Sequence, residues 1–313
     1  MFFVISGFLI SASFERSNNV SSYFIKRAFR IYPALWLCIL ITIPVIYVVG
    51  KINFFNYQTI PWLFSQFVGV IYTPEFLKGY GFGSYNGSLW TIPVELQFYV
   101  LIPIVYWIGS KLLAGKTTTL VIASLFVAFV IMAYLFTASY PAEGVSGETT
   151  IQKLIRYSFV PHFYLFLFGV LLRRLTVHSS PFIEGKGLWW TIAFIATSFV
   201  MPLTPASGIV LKLMLGVTTI SLAYTLTGLS HRILRGNDIS YGVYIFHGLV
   251  IGVFVELGLR DSYGYAVAVY VTSCLLAWAS WTYLENPILK LKHTKISGAS
   301  SLARFFGSTV ANR

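Results

Sequence analysis

Eight apolar runs, each close to the ~20 residues a helix needs to cross the hydrocarbon core of a bilayer, leave this chain few ways to fold. They lie at 31–50, 88–109, 119–139, 157–172, 188–203, 208–226, 239–257 and 264–283. In lipid a spanning segment must satisfy its own backbone polar groups, as an α-helix does. Two further pieces are ambiguous by length. Residues 1–14 (MFFVISGFLISASF) are too short to cross alone; lacking the charged start and small-residue cleavage site of a signal peptide, they read as part of a longer helix. Residues 60–73 are short and open on Pro61. Little is left over for a soluble domain, because 57% of the 313 residues are hydrophobic and 10% are charged, against roughly 45–50% and about 25% in soluble proteins. The expected fold is all-α: a polytopic transmembrane helix bundle of about 8–10 helices, counting a partial first helix and a re-entrant segment. No repeat or domain linker interrupts it, so residues 1–290 are expected to form one membrane-embedded domain, followed by a short basic tail over 291–313.

The net charge of +12 would form one basic face in a nucleic-acid binder, but here it is confined to short loops between apolar runs, so no nucleic-acid partner is expected. Its distribution orients the chain. With 60–73 kept in the outer half as a re-entrant or interfacial segment, sixteen Lys and Arg side chains fall on the cytoplasmic side and five outside. Letting 60–73 cross would turn Arg173 and Arg174 outward while the tail faced inward. The C-terminus is therefore expected in the cytoplasm, with the tail either on the anionic inner leaflet or disordered. Cys38 and Cys274 lie inside apolar runs without a CxxC or a His at ligand spacing, which argues against a disulfide scaffold and against a metal site.

Ionisable groups inside the spans are the informative positions, since each costs about 2.5–3.5 kcal/mol at the bilayer centre on insertion scales. Glu95 lies about two turns below the outer end of its span, near Gln97, Trp90 and Tyr99. His247 lies about 13 Å inward from the cytoplasmic end of its own span. His162, Lys212 and Glu256 are also intramembrane; the last two are near enough to helix ends to snorkel. A lone intramembrane His can also serve only to bond one helix to another. A carboxylate in an apolar span must be paired, protonated or turned to a polar cavity. Between the first two helices, Lys26, Arg27 and Arg30 form a basic loop in which the two arginines, three residues apart, share one face of a helical turn. Guanidinium groups so placed suit phosphate. Ordinary positive-inside topology explains the same charges more simply.

The strings Phe2–Ile10 (FFVISGFLI), Lys26–Pro33 (KRAFRIYP), Ser88–Tyr99 (SLWTIPVELQFY) and Ile239–His247 (ISYGVYIFH), with Glu285-Asn286-Pro287 closing the last span, together resemble the acyltransferase-3 family of integral membrane acyltransferases. Members of that family carry FFVISGFLI, RxxRIxP, SLWxxxxExxFY, SYxxYLxH and E-x-P in the same order, and many O-acetylate cell-surface carbohydrates. Two departures stand out. The family's first helix, which carries an Arg and ten residues later a His thought to be catalytic, would precede the string in which Met1 stands. Leu249 also replaces a Pro that many relatives carry two residues after the equivalent of His247.

What the resemblance implies is transfer of an acetyl group from acetyl-CoA, the cytoplasmic acyl donor, to a hydroxyl of an exopolysaccharide, O-antigen or related glycan, free or lipid-linked. A sugar hydroxyl attacking a thioester needs a general base with a pKa near 7, a role for which His247 is the candidate in this chain. Glu95 would orient an imidazole or bind a sugar hydroxyl. Trp90 and Tyr99 would stack on a pyranose, Asn86 and Ser88 would hydrogen-bond the acceptor, and Tyr241 joins that acceptor set. Lys26, Arg27 and Arg30 would hold the donor's phosphates. Ser6 and Gly7 read as positions of close helix approach. A bacterial inner membrane is the implied location. Two alternatives stay open: a transporter or flippase of lipid-linked sugars, although the internal repeats that this predicts are absent, and an inactive, shortened acyltransferase.

Overall fold

Each of the eight apolar runs is helical over most of its length in the computed structural model of the chain, which describes residues 1–17, 19–112, 117–140 and 149–290. The tail over 291–313 lies outside the described residues. In chain order the α-helices are α1 (Phe2–Glu15), α2 (Val20–Val49), α3 (Thr59–Val68), α4 (Thr91–Leu112), α5 (Thr117–Ser139), α6 (Thr150–Arg156), α7 (Phe163–Arg174), α8 (Gly187–Val200), α9 (Pro205–Ala223), α10 (Thr227–Leu234), α11 (Ser240–Glu256) and α12 (Tyr263–Ser280). A π-helical turn, Trp281–Glu285, continues α12. Among the described residues, five helices are long and apolar enough to cross a bilayer: α2, α4, α5, α9 and α12 with its continuation to Lys290. At 1.5 Å per residue α3 spans only about 15 Å, half the ~30 Å core, so it cannot cross by itself.

Helix ends differ from the apolar runs where local chemistry overrides hydropathy. The run 157–172 becomes the 12-residue α7, because Pro161 disfavours helical geometry just before it. The expected basic loop is corrected: Lys26, Arg27 and Arg30 stand on α2 itself, which begins at Val20 and passes through Pro33 and Pro44. No breaker lies between Val20 and Tyr32, and the Asn19 side chain caps the helix by accepting the Ser22 N–H at 2.7 Å. Each internal proline leaves the carbonyl four residues earlier without its helical donor.

The chain divides into two compact units, one of residues 1–24 with 91–236 and one of residues 25–90 with the described part of 237–313. In the first, α1 packs on α7, α4 and α9, and α5 on α4, α7 and α9. Backbones touch where α1 crosses α7: a Cβ on Gly7 would lie 2.0 Å from the Phe166 carbonyl oxygen, and one on Gly169 would lie 2.0 Å from that of Val4. The two run parallel, for residue numbers at their contacts rise together, from Phe3 beside His162, rings 5.1 Å apart, to Glu15 bonded to Arg174 at 2.6 Å. Small residues at such crossings are how helices associate in lipid, where burial of apolar surface supplies no drive. An aromatic cluster fills the rest, with Phe98 against Phe166 at 4.5 Å and Phe163 against Phe166 at 5.8 Å between ring centres. Arg174, the last residue of α7, ties the end of α1 to the start of α5, donating to Glu15 at 2.6 Å and to Thr119 at 3.2 Å. In the second unit α11 packs on α12, with Gly242 seated against Ala277.

Candidate functional site

The segment between α3 and α4 is not a free loop. It lies along one face of α11, where Gly248 and Gly252, one helical turn apart, leave room for it. A Cβ on Gly248 would meet Asn86 Oδ1 at 2.0 Å, and one on Gly252 would meet the Tyr80 ring at 2.8 Å. Two polar contacts fix the seating on α11, and a third braces the segment itself. Asn86 Nδ2 donates to the Ile245 carbonyl at 2.8 Å, Asn86 Oδ1 accepts the Ser88 hydroxyl at 2.6 Å, and the Gly81 N–H donates to Glu256 Oε1 at 2.6 Å. Gly81 and Gly83 take positive φ, 62° and 84°, so the tight chain reversal needs residues without a Cβ. Tyr80 is buried against both Gly50 and Gly252; burial, reinforced by the Glu256 carboxylate, pushes its hydroxyl up to about 12.

Seating this segment creates a cavity of about 430 Å³ lined by His247, Ser88, Trp90, Phe82, Ser84 and Tyr244, with Gly248 and Gly252 in its wall. His247 stands seven residues into α11, about 10 Å along the axis, half-buried, its ring 5.7 Å from that of Tyr244. Ser88 and Trp90, expected to touch the acceptor, face the same space as His247. Asn86 does not line it. At 2% exposure its amide is committed to Ile245 and Ser88, so it acts as the clasp that holds Ser88 and Trp90 in place.

The basic turns of α2 lie in the same unit, and Arg30 there is not an open fork. Its Nη2 donates to Asp238 Oδ2 at 2.7 Å and its Nη1 lies 3.8 Å from Glu285 Oε2. The rings of Tyr241 and Trp281 each stand 5.8 Å from the guanidinium carbon. Tyr241, expected in the acceptor set, is thus an Arg30 neighbour. Lys26 and Arg27 are half-buried one turn earlier on α2, on the face that Arg30 shares.

Glu95 and Tyr99 belong to the other unit. Glu95 is buried at 7% exposure, and its Oε1 accepts the Tyr99 hydroxyl at 2.7 Å and the Ser6 hydroxyl at 3.2 Å. Tyr23 donates to the Tyr99 carbonyl at 3.3 Å. Ser6 therefore does more than allow close helix approach, while Gly7 next to it does serve that purpose. His162 Nε2 lies 2.9 Å from the Arg156 carbonyl oxygen, and with Lys212 it lines a separate cavity of about 420 Å³ in this unit.

Four partners lie outside the candidate set read from the sequence. Gly248 and Gly252 carried a signal, the GxxxG spacing within an apolar run. Asp238 sits before a helix, where an acidic residue is ordinarily a cap, and Glu285 belongs to a string that gave no partner. Among the described residues, no three His, Cys, Asp or Glu side chains gather as a metal would require.

Comparison with known proteins bears on this geometry. A family model, described as an acyltransferase domain, matches residues 1–282. Nodulation protein 10 of Rhizobium leguminosarum bv. viciae is similar, at 29% identity over 97% of this chain and 84% of that protein. An O-acetyl transferase of Shigella phage Sf6 is 25% identical over 95% of this chain and 86% of its own length. The acyltransferase MdmB of Streptomyces mycarofaciens is 24% identical over 93% and 80%. No solved structure matches.

Proposed function

This chain belongs to the acyltransferase-3 family of integral membrane acyltransferases, and from that premise we propose that it moves an acetyl group from acetyl-CoA to a hydroxyl of a cell-surface carbohydrate, free or lipid-linked. The observation that carries the reading is the cavity in which His247, Ser88 and Trp90 face one another. A histidine facing a cavity that also holds the Ser84 and Ser88 side chains can take the proton of an alcohol. Trp90 offers a flat apolar face to a sugar ring, and Ser88 a hydroxyl to a sugar hydroxyl. As His247 accepts the proton, the acceptor oxygen bonds to the thioester carbonyl carbon, the carbon–sulfur bond breaks, and the donor leaves as a thiolate, which takes up a proton in turn. Phosphates on the donor match the cations of α2, Lys26, Arg27 and Arg30. Glu95, with its carboxylate oriented by Tyr99 and Ser6, is assigned to a sugar hydroxyl within its own unit.

The relative named as an O-acetyl transferase supports the acetyl group and the ester product. Family membership also favours group transfer over the transporter reading. We place the chain in a bacterial inner membrane with its C-terminus in the cytoplasm, the side on which acetyl-CoA is available. Purified protein in lipid nanodiscs, given isotopically labelled acetyl-CoA and deacetylated polysaccharide from the host, is expected to release coenzyme A and leave base-labile label on the glycan. Release of coenzyme A to water alone, with no label on any carbohydrate, would overturn the acceptor assignment.

A further inference from the structure

The groups around Arg30 differ sharply in their freedom. Glu285 is buried, at 2% exposure, whereas Asp238 is 52% exposed. Glu285 Oε1 accepts the Ser280 hydroxyl at 2.8 Å, which leaves Oε2 toward Arg30 with no hydrogen-bond partner among the described residues. Burying a carboxylate in this way is costly, and positive-inside topology has no use for it, because an exposed arginine would orient the chain equally well. The local backbone is shaped to the same end. The π-helical turn carries an extra residue, and its first and last members, Trp281 and Glu285, both reach Arg30. Trp281 is itself anchored, its indole N–H donating to Asn237 Oδ1 at 3.0 Å.

Asp238 is held differently. Its Oδ1 accepts the Ser240 hydroxyl at 2.6 Å and the Ser240 N–H at 3.3 Å at the first turn of α11, and only Oδ2 reaches Arg30. Oδ2 can leave Arg30 while Oδ1 stays bonded. We infer that Glu285 is a positioning residue that fixes the Arg30 guanidinium for a phosphate group of the acyl donor, and that Asp238 is an exposed stand-in which that phosphate displaces. The inference rests on the donor reading above and names the two acids that tune it. Asp238 competes with the phosphate and repels it; Glu285 aims the cation from behind.

The two acids should therefore act with opposite sign, which a merely structural role for both would not produce. The test is calorimetric binding of coenzyme A to the full chain in nanodiscs, for the unsubstituted protein and for Asp238→Asn, Glu285→Gln and Arg30→Gln. Both acid substitutions are isosteric, and Asp238→Asn keeps an oxygen to accept from Ser240. Asp238→Asn is expected to tighten binding about threefold, the size of one exposed ion pair. Glu285→Gln is expected to weaken it about tenfold, and Arg30→Gln by more than that, as for loss of charge-assisted bonds. In turnover both acid variants should move KM and leave kcat nearly unchanged. If Arg30→Gln weakens binding while the two acid variants match the unsubstituted protein or shift it in the same direction, the inference fails and the donor reading stands. If Arg30→Gln binds coenzyme A as the unsubstituted protein does, the donor reading at Arg30 fails, and the inference with it.

Discussion

Single side chains show most clearly which polarity is tolerated and which is used. Tyr80 is buried between Gly50 and Gly252, and its hydroxyl has no hydrogen-bond partner among the described residues. Replacing it with Phe is expected to leave thermal stability at neutral pH unchanged or raise it by up to about 1 kcal/mol, since a desolvated hydroxyl is lost along with nothing it bonds. The pH dependence has a definite sign. Burial, and after it the Glu256 carboxylate, raises the Tyr80 hydroxyl from its ordinary value of 10.0 to about 12 in the folded protein. Its contribution is therefore fully present below pH 10 and is lost as the pH climbs toward 12, because the unfolded chain releases the proton first. The Phe variant should lack that component of the alkaline loss in a melting-temperature series, and identical alkaline curves would contradict it. His247 stood out in the sequence as a rare ionisable group in an apolar run, whereas Ser88 and Trp90 entered only through a string that resembles the family's. The set around Arg30 was legible only in part, because a charge near a helix end is ordinarily topology or capping, and nothing in Asp238 or Glu285 marks it as an arginine's partner.

At the scale of elements, glycines decide what can lie against what. The clasp between the 80–88 segment and α11 depends on Gly248, whose missing Cβ is the space that Asn86 Oδ1 fills. Gly248→Ala is expected to expel that oxygen, break the Asn86 bond to Ile245, and cost about 1–3 kcal/mol, as overpacking of a tight site does. Transfer activity should fall as well, because Ser88 and Trp90 lose their seat while His247 is untouched. A variant with unchanged melting temperature and activity would show that the clasp is not what shapes the cavity. The number and rough positions of the apolar helices were readable from hydropathy alone. Their ends were not, since hydropathy windows do not register the Asn19 cap that starts α2 before its apolar run, or Pro161 ahead of α7. The seating of 80–88 on α11 was equally hidden: it is a contact between a polar segment and a helix more than 150 residues away in sequence.

For the whole molecule, sidedness and chemistry make linked demands. On the proposed orientation the segment before α4 lies outside and the end of α4 inside. In a chain with Cys38 and Cys274 replaced by Ser, Lys78→Cys is expected to react with a membrane-impermeant maleimide in intact cells, and Lys111→Cys only after permeabilisation. The opposite pattern would invert the orientation and with it the expected side of the donor. The central claim concerns the reaction itself: one histidine in one cavity makes an acetyl ester on a glycan. Mass spectrometry of the host's surface polysaccharide, comparing cells that carry the intact gene with cells that carry His247→Ala at equal membrane abundance, tests it most directly. Loss of a general base lowers rates by about 10²–10⁴-fold, so the acetyl mass increment should be present with the intact protein and fall to the level of a gene deletion in the variant. An undiminished increment in the His247→Ala cells would contradict the account.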